Sequence, residues 1–238
     1  GVLVSDSHHT ARFVCTTGTE QNQIASFYPG AMSEARNIEL KPIVDQVGGA
    51  DVVLIGANDP EGMRRHTDEC RFRGYPFAAD PSQQLARMDG EDIKPLIEGA
   101  EYLFTNEYEA ALIEQKTGWT AADLAAIVNV RIITLGPEGA RIERRGCDPV
   151  LVGVPEEESK ADPTGVGDAF RAGFLACQAW GLSDERSAQV GSLVATYVIE
   201  TIGTQEYQLA QQHFLARLAT AYGDDAAAEI DQHVSCPR

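Results

Sequence analysis

The chain has 238 residues, of which 43% are hydrophobic and 23% charged, and this composition excludes a disordered or fibrous protein while leaving room for one large α/β domain. Its 36 acidic residues outnumber 19 basic ones, and the formal net charge of −17 argues against binding DNA or RNA as polymers, although main-chain amides and a bound cation can still hold a small anion. No apolar run approaches the roughly 20 residues of a membrane helix, and the cysteines form no CxxC pair, so we expect a cytoplasmic protein with reduced thiols and no membrane partner.

Up to residue 135 the chain alternates predicted helices with predicted strands. The strands are short, β-branched and bounded by turn residues. In chain order we predict a helix over Ser33–Val47, a strand over Val52–Ile55, a helix over Pro81–Met88, a strand over Tyr102–Phe104, a helix over EYEAALIEQKTG that ends at Gly118, and a strand over Val130–Leu135. Such alternation predicts a mainly parallel sheet with helices on both faces.

From Gly139 the pattern changes. GARIERRG and DPVLVGVPEEE are typical of two antiparallel strands at the edge of a sheet. Helices are predicted over Gly165–Trp180, Asp184–Glu200 and Leu209–Ala221, and we expect the acidic tail after Tyr222 to be a frayed helix.

The stretch ADPTGVGDAF places two glycines before a helix that is apolar on most of its circumference. The first-turn N–H groups of such a helix lack intrahelical partners and can bind an anion, and Gly165 and Gly167 leave the approach open. Asp168 follows at once; taken alone, it is an ordinary helix-capping residue. A dinucleotide loop would need a third glycine where Phe170 stands, and a Walker loop would need a G-K-[ST] sequence that the chain lacks.

DPTGVGDAFRAGF resembles the second signature of the ribokinase-like (PfkB-type) carbohydrate and nucleoside kinases. The resemblance implies a ribokinase-like three-layer αβα sandwich with a mainly parallel sheet and an antiparallel edge. It implies an anion hole at Gly165, Val166 and Gly167, with Asp168 as the catalytic base. Val166 departs from the small residue that is usual at its position.

TNEYEA resembles the N-x-x-E motif of the same family. The resemblance implies that Asn106 binds ATP and that Asn106 and Glu109 organise Mg²⁺ through water. The alternative is an N-capped helix with a solvated glutamate, which is common.

The turn TLGPEGA follows a predicted strand directly. In the family this turn contacts ATP, which implies ATP-binding roles for Thr134, Gly136, Glu138 and Gly139; a plain β-turn into the edge hairpin is an equal alternative.

IGTQEY near Gly203 resembles the segment that closes over the adenine of ATP. In many relatives it also helps to hold a monovalent cation such as K⁺, and the resemblance implies that Asp162 and Thr164 take part.

A narrower resemblance concerns the acceptor. RFVCTTGTEQNQIASFYPGAM and ADPSQQLA are similar to the bacterial adenosine kinases, which implies that Phe13 and Phe27 sandwich the base and that Gln83 and Gln84 lie beside the substrate, with Asp168 at its hydroxyl. Without the family, core packing is the default interpretation of the two phenylalanines.

The expected activity is ATP-dependent phosphoryl transfer to the 5′-hydroxyl of adenosine, giving AMP in purine salvage. Residues 1–238 are expected to form one kinase domain that lacks the family's N-terminal third, including the lid and a di-glycine motif; a homodimer is expected where the lid is present. The alternatives are a ribokinase-like kinase for another nucleoside or sugar, and a non-catalytic ATP-binding module left by truncation.

Overall fold

The computed structural model describes residues 2–18 and 23–234. These residues form two compact units. The first unit holds the described residues up to 134 together with residues 143–148, and the second holds residues 135–142 and the described residues from 149 onward.

The first unit is built on parallel strands that alternate with helices. Its elements are β1 Arg12–Thr17, β2 Gln23–Tyr28, α1 Leu40–Val47, β3 Val53–Ile55, α2 Pro60–Arg73, β4 Phe77–Ala79, α3 Gly90–Ile97, β5 Tyr102–Asn106, α4 Glu107–Thr117, α5 Ala121–Ile127 and β6 Val130–Thr134. Strands β3, β4, β5 and β6 pair in parallel in that order, which confirms the predicted mainly parallel sheet, although β4 itself was not predicted. Strands β1 and β2 form a separate antiparallel hairpin that the sequence analysis did not predict.

The core of the first unit lies between the parallel strands and their helices. Phe77 and Leu103 come from the strands, and Met63, Ile93 and Ile113 come from α2, α3 and α4; all are almost fully buried. Strand β4 is buried at every residue, as expected where helices cover both faces of a parallel sheet.

The predicted helix over Ser33–Val47 is two segments. A 3₁₀ helix covers Gly30–Asn37, the chain is extended at Ile38, and α1 begins at Leu40. Side chains of α2 bind the main chain at this break: His66 Nε2 donates to the Ile38 carbonyl over 2.9 Å, and the Glu69 carboxylate accepts from the Leu40 and Lys41 N–H groups over 3.1 and 3.0 Å. A continuous helix would have lost these bonds, so tertiary contacts override the local preference.

The predicted helix over Pro81–Met88 is also shorter and tighter, a 3₁₀ helix over Ser82–Ala86. The ammonium group of Lys116 on α4 binds the carbonyls at its end, at 2.7 Å from that of Leu85 and 2.7 Å from that of Met88. These carbonyls therefore need no further helical turn to satisfy them.

The second unit is an antiparallel strand pair followed by helices. Its elements are β7 Ala140–Arg144, whose first residues belong to this unit, β8 Val150–Val152, α6 Val166–Ala179, α7 Asp184–Ile199, α8 Gln211–Tyr222 and α9 Asp224–Val234. The pairing of β7 with β8 confirms the predicted antiparallel strands. Helices α6 and α7 approach closely, since a Cβ atom on Gly173 would lie only 2.9 Å from the Cα of Gly191.

The expectation of a frayed helix after Tyr222 is wrong. Helix α9 packs on the second unit through Ala226 and Ile230, which are buried. These residues are four apart and share one face of the helix, and Glu229, the acidic residue between them, pairs with Arg186 over 2.7 Å.

No helix within residues 2–18 and 23–234 is long and apolar enough to cross a membrane.

Candidate functional site

A cavity of about 610 Å³ opens in the first unit. Phe27 of β2, Pro29 and Met32 contribute apolar surface to its wall, and Gln84 and Arg87 contribute polar groups. A cavity of this size, lined by both apolar and polar side chains, is large enough for a small-molecule ligand.

Gln84 is held in one orientation in this cavity. Its Nε2 donates to the main-chain carbonyl of Asn58 over 2.7 Å. Because a main-chain carbonyl can only accept, the amide oxygen of Gln84 is the atom left to meet a ligand, and it calls for a donor. Gln83 is exposed and does not line the cavity, so the structure brings only one of the two predicted glutamines to it.

Phe13 and Phe27 are direct cross-strand partners in the β1–β2 hairpin, so their rings stand on the same face. They are 51% and 42% exposed, respectively, which contradicts core packing as their role. Phe27 lines the cavity, whereas Phe13 is not part of its wall.

The wall segment Gly30–Asn37 is fastened to the start of α2 by Arg36, which the sequence analysis did not single out. Its Nε and Nη2 donate to the two carboxylate oxygens of Asp59 over 2.9 and 2.6 Å. Asp59 is buried, lines the cavity, and accepts from the Gly62 N–H over 2.9 Å as the N-cap of α2. The sequence signal was Asp59-Pro60, an N-cap residue followed by proline at the first helical position.

Asn106 and Glu109 form a capping box at the start of α4. The Asn106 side chain accepts from the Glu109 N–H over 2.8 Å, and the Glu109 carboxylate accepts from the Asn106 N–H over 2.8 Å. Glu109 is buried, so the alternative of a solvated glutamate is wrong, although the N-cap itself is present. Its other carboxylate oxygen has a long contact of 3.4 Å with the Ser82 hydroxyl.

In the second unit, the glycine loop leads into α6 as the sequence predicts. Gly165 is the N-cap, with φ of +88°. The Val166 N–H donates to the Pro163 carbonyl over 3.3 Å, so it is already engaged. Within the described residues the N–H groups of Gly165, Gly167 and Asp168 donate to no protein acceptor, and α6 has no side-chain cap. The positive end of α6 therefore carries three main-chain N–H donors that have no acceptor among the described residues.

The side chains around this loop have separate positions. The Asp168 side chain is 86% exposed and its Oδ1 lies 3.8 Å from Nη1 of Arg171. The Val166 side chain packs against the core of the second unit and so does not crowd the loop. A Cβ atom on Gly165 would lie 3.1 Å from the Thr204 side chain, so both its φ and its surroundings require glycine.

In the turn after β6, the structure explains why residue 139 is glycine. The Leu135 N–H donates to the Gly139 carbonyl over 2.7 Å, and a Cβ atom on Gly139 would lie only 1.9 Å from the Val152 carbonyl oxygen. Gly136 and Glu138 are exposed. Thr134, which belongs to the first unit, donates from its hydroxyl to the Thr105 carbonyl over 3.4 Å.

Asp162 joins two loops of the second unit. Its carboxylate accepts from the Thr164 N–H over 2.9 Å and from the Gly203 N–H over 3.4 Å. The hydrogen bond from the Thr164 side chain is the largest cause that lowers the pKa of Asp162, which therefore carries its charge at neutral pH. The predicted monovalent cation stays a prediction.

A family model described as pfkB family carbohydrate kinase matches residues 1–211. The chain belongs to the pfkB family of carbohydrate kinases.

Individual members of the pfkB family are similar over most of the chain. The nucleoside kinase of Methanothermobacter thermautotrophicus is 30% identical over 207 residues, which are 86% of this chain and 64% of that protein. The structure of Burkholderia thailandensis nucleoside kinase in complex with inosine is 34% identical with a TM-score of 0.85, covering 91% of this chain and 71% of that one. The adenosine kinase of Sinorhizobium meliloti is 26% identical with a TM-score of 0.70, covering 90% of this chain and 66% of that one.

These matches confirm the ribokinase-like three-layer sandwich with its mainly parallel sheet and antiparallel edge. The chain spans 64% of the length of the nucleoside kinases of Methanothermobacter thermautotrophicus and Methanocaldococcus jannaschii.

Proposed function

We propose that the protein is an ATP-dependent nucleoside kinase that phosphorylates the 5′-hydroxyl of adenosine. The observation that carries the proposal is the glycine loop, with three unpartnered main-chain N–H groups beside the exposed carboxylate of Asp168. The names of the similar proteins, nucleoside kinase and adenosine kinase, support the same class of acceptor.

In the proposed reaction Asp168 accepts the proton from the 5′-hydroxyl as the oxygen forms a bond to the γ-phosphorus. The bond from this phosphorus to the bridging oxygen breaks, and ADP leaves. The N–H groups of Gly165, Gly167 and Asp168 donate to the transferring group as its charge redistributes. Phosphoryl transfer needs mainly positioning and electrostatic stabilisation, which these groups supply.

The Asn106–Glu109 pair fits an outer-sphere role toward Mg²⁺. Its capping bonds leave one Glu109 carboxylate oxygen with a single long contact and do not engage the Asn106 side-chain NH₂, so the oxygen can accept from ordered water and the NH₂ can donate to water or a phosphate oxygen. When bound, Mg²⁺ would neutralise charge on the nucleotide phosphates. The proposed ATP contacts at Thr134, Gly136, Glu138 and Gly203, and a K⁺ ion near Asp162 and Thr164, belong to the same proposal.

Gln84 supports a purine nucleoside and brings in a second candidate. Its free amide oxygen accepts, and adenine offers an N6 amino donor on its edge. Hypoxanthine offers an N1–H donor instead, so inosine satisfies the same oxygen. A complex with inosine is known for the similar Burkholderia kinase.

A coupled assay of ADP release tests the proposal. Adenosine, inosine, ribose and fructose 6-phosphate are compared at equal concentration with Mg²⁺ and ATP, with and without K⁺. Release that depends on a nucleoside and disappears in Asp168→Asn supports the proposal, and the ratio of kcat/KM for adenosine to inosine decides between the two bases. Release with a sugar alone would instead favour a carbohydrate kinase. Calorimetric ATP binding without any ADP release would favour a non-catalytic module.

A further inference from the structure

Ser82 adopts a backbone conformation that suits glycine. Among the residues that the structure describes, it is the only one other than glycine with a positive φ, at +45°. In this left-handed region the Cβ atom of an L-residue comes too close to the following carbonyl oxygen, a cost that glycine avoids. Glycine would therefore fit the same turn at lower cost, and the serine side chain needs a functional explanation.

The Ser82 hydroxyl contacts the buried carboxylate of Glu109. It donates to Oε1 over 3.4 Å, and the Asn106 N–H donates to Oε2 over 2.8 Å. Each carboxylate oxygen thus has a donor, and the two donors come from different segments of the chain. Because a carboxylate that is held at one oxygen can still rotate, the contact with Ser82 determines the direction of Oε1.

The segment that follows Ser82 is fixed by other contacts. Gln84, two residues later, lines the cavity and donates to the Asn58 carbonyl over 2.7 Å. The Lys116 ammonium binds a carbonyl at the end of the same 3₁₀ helix over 2.7 Å. Lys116 and Glu109 are seven residues apart, so they lie on the same face of α4. The segment therefore lies along α4, and the left-handed turn at its start places the Ser82 hydroxyl at Glu109.

We propose that Ser82 is a positioning residue of the kinase site, whose hydroxyl orients Oε1 of Glu109 to accept from Mg²⁺-bound water. The inference rests on the proposed function, since it assumes that the Asn106–Glu109 pair meets the metal through water. Loss of a group that orients the surroundings of a metal typically lowers its affinity or the activity about 10- to 100-fold. The backbone strain at Ser82 then lowers stability in exchange for an oriented carboxylate, as is common at functional sites.

The test separates the hydroxyl from the backbone strain with three variants. Ser82→Gly removes both, Ser82→Ala removes only the hydroxyl, and Ser82→Thr keeps the hydroxyl and adds a branched Cβ that the left-handed region disfavours. Ser183→Ala is the matched control, because the Ser183 hydroxyl accepts from the Arg186 N–H over 3.1 Å at the start of α7. We measure kcat, the KM for adenosine, the urea midpoint of the metal-free chain and, by calorimetry, the affinity for ADP with Mg²⁺ and with EDTA.

We expect Ser82→Gly to lower kcat about 10-fold, and to lower the gain in ADP affinity from Mg²⁺ by a similar factor, because Glu109 loses its orientation. Its urea midpoint equals or exceeds that of the native chain, because the strain is relieved. Ser82→Ala shows the same two losses with a lower midpoint, and Ser82→Thr has the lowest midpoint but keeps kcat and the Mg²⁺ effect. The KM for adenosine changes little in all three, because Gln84 keeps its bond to the Asn58 carbonyl. Ser183→Ala lowers the midpoint and leaves kcat unchanged.

Native-like kcat and a native-like Mg²⁺ effect in Ser82→Gly would overturn the inference and leave the proposed kinase intact. So would losses of kcat that follow the urea midpoint across the three variants, which is the order that a purely structural role produces. If the native chain binds ADP more tightly with Mg²⁺ but releases no ADP with any acceptor, the proposed function fails, while the Mg²⁺ effect in the variants still decides on Ser82. Absence of nucleotide binding by the native chain overturns both.

Discussion

Replacing Arg217 by methionine is expected to destabilise the second unit, because Arg217 neutralises a buried carboxylate. Its guanidinium donates twice to Glu200, over 2.7 and 2.7 Å, and once to the Glu156 carbonyl over 3.1 Å. The side chains of Arg217 and Glu200 are 13% and 12% exposed, respectively. The guanidinium also lies 4.7 Å from the centre of the Tyr197 ring. Methionine keeps the apolar stem and removes the charge, its hydrogen bonds and its contact with the Tyr197 ring.

The size of the destabilisation depends on the interactions that Glu200 keeps in Arg217→Met. Leaving one member of a buried ion pair without its partner costs about 3–5 kcal/mol, but the Glu158 N–H still donates to Glu200 and some water reaches the group, so we expect about 2–3 kcal/mol. With a urea dependence of about 2–3 kcal/mol/M, the unfolding midpoint falls by about 1 M. Fluorescence of Trp180, in the same unit, follows the transition.

The loss has a defined pH dependence. Burial alone would raise the pKa of Glu200, but hydrogen bonds from Arg217 and from the Glu158 N–H outweigh it and hold the pKa below the ordinary value of 4.5. A lowered folded-state pKa contributes stability above the unfolded-state pKa, and that contribution disappears as the pH falls through the folded-state pKa. The difference in unfolding free energy between the native chain and Arg217→Met is therefore largest at pH 7 and decreases below a pH of about 4.5. A difference in unfolding free energy below about 0.5 kcal/mol at pH 7 would refute the reasoning. So would additive losses of unfolding free energy from Arg217→Met and Glu200→Leu in the double variant.

Three further predictions concern the candidate site. Asp168→Asn should lower kcat at least about 10²-fold while nucleoside affinity, measured by calorimetry, changes much less; near-normal turnover would exclude Asp168 as the base. Gln84→Leu should raise the KM for adenosine about 10-fold with a smaller change in kcat, because it removes the amide oxygen that is proposed to accept from the base. Gln83→Leu is the matched control, because Gln83 is exposed, and equal effects of the two substitutions on KM would contradict the proposed contact. Gly139→Ala should lower the free energy of unfolding by at least about 2 kcal/mol in urea, because its methyl group meets the Val152 carbonyl in the β7–β8 hairpin. Gly146→Ala is the control: its methyl group meets no neighbouring atom, so it should lower the free energy of unfolding less.

The sequence predicted elements whose signals are local. The glycine loop and the Gly118 end of α4 each follow from a few adjacent residues, and both are present in the structure. Helix α2 was missed although Asp59-Pro60 marks its start, because its polar sequence carries a weak apolar pattern.

Other features depend on residues distant in the chain. The break before α1 needs His66 and Glu69, which lie on another helix. Arg171 and Gln178, seven residues apart on α6, have different surroundings: Gln178 donates to the Ser187 hydroxyl over 2.9 Å, whereas the Arg171 guanidinium lies near Gly167. No spacing rule distinguishes these two outcomes.

The contact between Gly173 and Gly191 sets where the donors of the glycine loop stand. Two helix backbones that meet with only hydrogen atoms between them cannot slide or roll past one another without losing their packing. This packing therefore holds the first turn of α6 in a fixed position. The N–H dipoles of the glycine loop then need little rearrangement when charge moves during the proposed phosphoryl transfer. A methyl group added at Gly173 or Gly191 would push the two helices apart and tilt α6. The N–H groups of the glycine loop would then be displaced, although the methyl group does not contact them.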